Sequence, residues 1–227
     1  TQADVGFYVR SLVSYTDALG TPESVASFAT ESPVGNINDA PSLGDAQLPA
    51  VQEGNDSPQG ASIASLLAGA FQDPDAGDTL LGIAIVENTA DQAAQGSWEY
   101  SSDNSNWHEI GAVNDADLAL ALSSQTLLRF RPTAHYYGSP PPLKLRGIDS
   151  SYTGAFSNAF EQEQRVIVDT STNGGSSALS AVITTLTTAV SPVNDSPTGS
   201  LILSGTPTQY QTLSANTSTI ADPDGLG

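Results

Sequence analysis

The chain has 227 residues, with 25 Asp and Glu against six Lys and Arg, a formal net charge of −19, and neither Cys nor Met. Without Cys there is no disulfide framework, no thiolate metal site and no Cys nucleophile. The charge excludes the clustered cations that nucleic-acid binding requires, and no apolar run approaches the ~20 residues of a membrane-spanning helix. No nucleic acid and no membrane insertion are therefore expected, whereas divalent cations should be attracted.

In chain order, residues 1–35 read as a strand from Phe7 to Tyr15, a turn and a second strand. Asn36-Ile37-Asn38-Asp39-Ala40-Pro41 then forms an extended link, because the residue before a proline is pushed out of the helical region. A short helix is expected from Ile63 to Leu67. Trp98 and Tyr100 precede the polar run Ser101 to Asn106, and Trp107 follows it, which reads as a hairpin with aromatic anchors. Leu118, Leu120 and Leu122 alternate with Ala, Leu128 and Phe130 with Arg129 and Arg131, and Leu143 and Leu145 with Lys144 and Arg146. Val166 and Val168 bracket Ile167. Each of these is a strand with one buried face. Pro192-Val193-Asn194-Asp195-Ser196-Pro197 repeats the earlier punctuation, and repeated punctuation signals repeated modules. A strand at Leu201 to Leu203 follows, and the last turn is Asp222-Pro223-Asp224-Gly225.

The expected fold is all-β. Residues 38–194 form one complete module, and residues 1–37 and 195–227 each read as half of another. Many short strands separated by Gly, Pro and Asn turns favour β-sandwiches.

The flanks resemble a known family. Asp4-Val5-Gly6, Val13-Ser14-Tyr15-Thr16-Asp17 and Gly20-Thr21-Pro22-Glu23-Ser24-Val25 resemble the closing half of Ig-like repeats in giant bacterial surface adhesins of the RTX type. Ser204-Gly205-Thr206-Pro207 and Asp222 to Gly227 look like the opening half of the same repeat. The middle module is similar to the cadherin-like repeats of those proteins, through Phe71-Gln72-Asp73-Pro74-Asp75, Gly96 to Ser101 and Leu128-Arg129-Phe130-Arg131-Pro132. The sequence departs from the family at Ser105 and Asn106, where Gly is usual, and at His135 with Tyr136 and Tyr137. The resemblance implies tandem cadherin-like and Ig-like sandwiches, an extracellular cell-surface location, and a structural extender serving adhesion and biofilm cohesion. Its neighbours would be repeats of the same polypeptide or copies arranged head to tail.

The resemblance also implies calcium as cofactor, held at module junctions by oxygen ligands. At the first junction these would be Asn36, Asn38 and Asp39 from the link, Asp73 and Asp75 from the turn with Asp78 nearby, and Asp149 after a later strand. At the second they would be Asn194 and Asp195, Asp222 and Asp224, with Glu53 sent down from the middle module. Asp17 resembles Asp149. The turns carry a second explanation, since Asp-Pro-Asp forms a turn with or without an ion.

Two other functions stay open. A fibre subunit could be completed by strand exchange between copies. A glycan-binding adhesion module could use the Trp98, Tyr100 and Trp107 hairpin as a sugar-stacking platform, or Arg129, Arg131, Lys144 and Arg146, which would form a basic strip if their strands pair; cross-strand salt bridging is the rival reading of the strip. Trp98, Tyr100 and Trp107 are read chiefly as core cover. His108 and His135 lack the partner spacing of a zinc site or hydrolytic triad, so no catalytic residue is assigned and no enzymatic activity is expected.

Overall fold

The alternating Leu128 and Phe130 face inward because their strand, Leu127–Pro132, lies against Gly96–Ser101, with Leu128 opposite Tyr100 and Phe130 opposite Trp98. We describe residues 1–159 and 162–225 of a computed structural model of the full chain. The two strands sit centrally in a four-stranded sheet, flanked by His108–Glu109 and Ala61–Ser62. A six-stranded sheet runs in the order Ile167–Val168, Ala119–Ser123, Leu80–Glu87, Leu143–Asp149, Thr184–Thr187, Ala46–Gln47, antiparallel throughout except for the last pair. Trp98, Tyr100, Leu128 and Phe130 of the smaller sheet share one core with Ile83, Ile85, Leu120, Leu122, Leu143 and Leu145 of the larger. The architecture is therefore all-β and sandwich-like. Trp98 meets Phe130 edge-on at 5.3 Å and donates its indole N–H to Pro141 O at 3.0 Å, which satisfies the one polar atom this large side chain buries.

The expected helix is present at Ile63–Leu67. Ser62 caps it, its hydroxyl accepting from Ser65 N at 3.2 Å, and the i, i+4 pair Ile63 and Leu67 enters the core. The expected hairpin is also present, with His108 opposite Tyr100. Its tip is closed by Asp103, which accepts the backbone N–H groups of Ser105 and Asn106 at 2.8 Å each.

Two strand expectations need correction. The larger sheet buries both faces. Ala84, Val86, Ala119, Ala121 and Ile148 pack on its outer side against Val168, Leu179, Tyr152 and Phe156. The covering residues come mostly from an irregular stretch with no alternation to read. Gly82 is required there: a Cβ would stand 2.4 Å from Leu122 O and 2.5 Å from the Phe156 ring. The expected strand from Phe7 to Tyr15 is observed as Leu12–Thr16. Val9 N–H goes to the Thr30 hydroxyl at 3.3 Å instead of a carbonyl, which interrupts the ladder.

Leu12–Thr16 pairs with Pro22–Ala26, and Ile202–Ser204 pairs with Ser214–Asn216. Every residue of these four strands is exposed, and Phe28, Val13, Leu203 and Tyr210 present large apolar surface. No described helix is long and apolar enough to cross a membrane.

Candidate metal centres

Asp73 begins a tight turn after Phe71–Gln72, and its Oδ1 accepts the backbone N–H of Asp75 at 2.8 Å. Asp75 in turn accepts the backbone N–H of Asp39 on Oδ2 at 2.6 Å, which ties the turn to the link. Asp149 closes the strand Leu143–Asp149 with no solvent exposure. Its Oδ1 accepts Ser151 N and Ser151 Oγ at 2.8 and 2.6 Å, and its Oδ2 accepts the Asn38 amide at 3.3 Å. Asp78 accepts from the Ser150 hydroxyl at 2.9 Å. Carboxylate oxygens of Asp73, Asp78 and Asp149 lie within 4.8 Å of one another. Asn36 is exposed and lies outside these contacts.

The electrostatics of this cluster are unfavourable without a counter-charge. Asp73 Oδ2 and Asp75 Oδ1 are buried and have no hydrogen-bond partner among the described residues. An unsatisfied buried polar atom costs about 1–3 kcal/mol, and more when charged. Burial pushes the Asp73 carboxyl above the usual carboxylate range; the Asp75 N–H opposes this, and the charges of Asp149, Asp78 and Asp75 add to it. The donors are all oxygens, which suits a hard divalent cation of the calcium type.

The second link repeats the pattern. Asp224 Oδ2 accepts Asp195 N at 2.6 Å, and Asp222 Oδ1 accepts Asp224 N at 3.0 Å. Asn194 donates to Asp195 O as Asn38 donates to Asp39 O, at 2.8 and 3.3 Å. Glu53 arrives from above, because Val51–Gln52 runs parallel to Val190–Ser191. Its Oε2 accepts Val193 N at 3.1 Å, while its Oε1 is buried without a partner among the described residues. His135 also reaches this place, with Nδ1 2.6 Å from Asp195 Oδ2. The sequence pattern missed His135 because the two residues are 60 positions apart and nothing local links them.

The basic strip is corrected. Arg129 and Arg131 lie in the four-stranded sheet, whereas Lys144 and Arg146 lie in the six-stranded one. Arg129 is buried, pairing with Glu99 at 2.7 Å and stacking 4.0 Å over the Trp107 ring. Arg131 pairs with the same Glu99 at 2.7 Å, and Lys144 with Glu87 at 2.7 Å. Arg146 is buried and forks onto Asp115 through two bonds of 2.8 Å. The four cations are spent on cross-strand and loop pairing.

The Arg146 fork holds the Asp115 carboxyl below its usual range; burial opposes this, and a Thr170 hydrogen bond assists. A depressed folded pKa adds stability that is present above the ordinary carboxylate value and lost as pH falls through the folded one. Asp115→Asn should therefore cost about 1 kcal/mol at neutral pH. Urea unfolding across the acid range should show a shallower acid loss in this variant than in the parent chain.

Comparison with protein-family models, with curated proteins and with solved structures returned no significant match, so the candidate centres stand on their own geometry.

Proposed function

We propose that this chain is a structural extender from a secreted bacterial surface adhesin. In this reading residues 38–194 are a complete cadherin-like sandwich, residues 1–37 and 195–227 are halves of Ig-like ones, and calcium stiffens the links. One observation carries it. The same link-to-turn hydrogen bond of 2.6 Å recurs at both links, beside buried carboxylate oxygens that lack partners among the described residues. A turn alone needs no such convergence of like charges. At the first link Asp73, Asp75, Asp78 and Asp149 would hold the ion, with Asn38 and Asp39 beside them. When bound, calcium neutralises these carboxylates and cross-links the link to the module.

Isothermal calorimetry with calcium tests the reading. Extracellular-type sites have a Kd of about 10⁻⁴ to 10⁻³ M. Calcium at ten to a hundred times Kd should then add about 1.4–2.7 kcal/mol per site, or about 2–4 °C in Tm for each kcal/mol at this size. An Asp73→Asn, Asp149→Asn double variant should lose the first link's share of the heat and of the shift. Absence of both in the parent chain would sink the reading.

The exposed apolar hairpins favour a second reading, a fibre subunit completed by strand exchange. Isolated two-stranded hairpins are marginal in water, and open strand edges pair readily. Sedimentation at several concentrations separates the two, since only strand exchange makes mass grow with concentration. The glycan-binding alternative loses the basic strip and is left with the Trp hairpin.

A further inference from the structure

The second link differs from the first in one chemical respect: a histidine is among its donors. We propose that Glu53, His135 and Asp195 form a mixed nitrogen and oxygen site for a borderline divalent transition metal of the zinc class, distinct in selectivity from the all-oxygen cluster at the first link. This goes beyond the proposed function: at the second junction only, it replaces the calcium that the sequence resemblance implies there, on the same Glu53 and Asp195, and leaves calcium to the first link.

Four observations converge. Donor atoms of Glu53, His135 and Asp195 lie within 4.8 Å of one another. Glu53 is only 7% exposed, and its Oε1 has no hydrogen-bond partner among the described residues. The other oxygen of Glu53 is fixed by Val193 N–H, so the free one is held in place and cannot turn outward to water. Such an orphaned oxygen in a buried carboxylate is costly unless something cationic meets it.

The His135 side chain is half-exposed and its Nδ1 lies 2.6 Å from Asp195 Oδ2, a pair whose shared proton a metal would displace, but its turn is anchored. His135 lies on the turn after Leu127–Pro132, and two backbone bonds tie Gly138 to Val190, from N to O at 2.9 Å and from O to N at 2.7 Å. Next to His135, Tyr136 packs on the core, 6.5 Å from the Phe130 ring. Three chain segments, 51–53, 135–138 and 190–195, are thus pinned to one another around the donors. That is the preorganisation a metal site requires. His135 has φ of +60°, a left-handed backbone that non-glycine residues seldom adopt.

Donor chemistry decides the metal class. Imidazole suits zinc, copper, iron and nickel, whereas carboxylate and carbonyl sets suit magnesium and calcium. Zinc accepts His nitrogen and carboxylate oxygen together and is satisfied by three protein donors plus water. Calcium gains little from an imidazole.

The test titrates the intact chain with cobalt(II), read by its visible absorption, and with zinc by calorimetry. The variants are His135→Asn, Glu53→Gln and Asp73→Asn. Asparagine tolerates the left-handed backbone, so the first variant removes the donor while keeping the turn. The expected result is one equivalent of cobalt giving a visible band, at least about tenfold weaker binding in His135→Asn and Glu53→Gln, and no change in Asp73→Asn. Equal cobalt and zinc binding in the parent chain and His135→Asn would overturn the proposal, as would no cobalt band at all. Calcium binding at the first link is measured separately on Asp73→Asn, so loss of that reading leaves this result interpretable, and the reverse also holds.

Discussion

Glu99→Ala is expected to lower the unfolding free energy by about 3–5 kcal/mol, the range for removing one partner of a buried ion pair. Glu99 is 4% exposed and is the shared acceptor of Arg129 and Arg131. The losses at the two arginines differ. Arg131 is 41% exposed and would return to water at little cost. Arg129 is 7% exposed, flattened against Trp107, and among the described residues keeps Pro58 O at 3.2 Å. Its charge would remain buried and uncompensated, so most of the loss arises there. Urea unfolding of Glu99→Ala against Glu99→Leu with Arg129→Met isolates the cause. The double variant removes charge and countercharge together and should recover much of the loss. A single-variant cost below about 1 kcal/mol, the median for exposed pairs, would show that the pair is solvated.

Asp73→Asn is expected to act in the opposite direction. Without divalent cations this variant should be more stable than the parent chain at neutral pH. The sign follows first from burial of the carboxyl, which the Asp75 N–H opposes, and then from the charges of Asp149, Asp78 and Asp75. A carboxyl whose folded pKa lies above its unfolded one destabilises the fold wherever it is ionised. The penalty is complete above the raised value and disappears as pH falls through it towards the ordinary carboxylate range. The amide keeps an oxygen for Asp75 N–H and places a donor where Asp73 Oδ2 has no partner among the described residues. The same change should abolish the calcium gain of about 1.4–2.7 kcal/mol at ten to a hundred times Kd. Thermal unfolding in chelator and in calcium reads both effects. A variant that melts lower than the parent in chelator would contradict the account of a buried, like-charged carboxylate.

Much of the middle of the chain was legible because local chemistry decided it. Ser62 followed by the i, i+4 pair Ile63 and Leu67 determines the helix. Trp98, Tyr100, Leu128 and Phe130 alternate strictly, and their strands pair in the register that alternation requires. The Asp73-Pro74-Asp75 turn and the two Asn-Asp links also stood out, being turn chemistry at fixed spacing.

Partner choice was not legible. Leu127–Pro132 and Leu143–Asp149 have the same pattern of leucine and cation, yet they fall in different sheets. Nothing in either strand says which neighbour it takes, so the basic strip could not be ruled out from pattern alone. The second core was hidden because Tyr152, Phe156 and Leu179 cover the larger sheet from irregular backbone with no period. His135 was hidden for the same reason on a smaller scale: the Gly138–Val190 bridge, between residues far apart in sequence, brings its turn towards Asp195.

The central claim is that cations rigidify the links, and small-angle scattering of the intact chain in chelator and in saturating calcium tests it most directly. The account predicts a particle that becomes straighter and less variable in calcium at constant mass. Identical profiles in the two conditions would contradict it, and mass that grew with concentration would support strand exchange between copies instead.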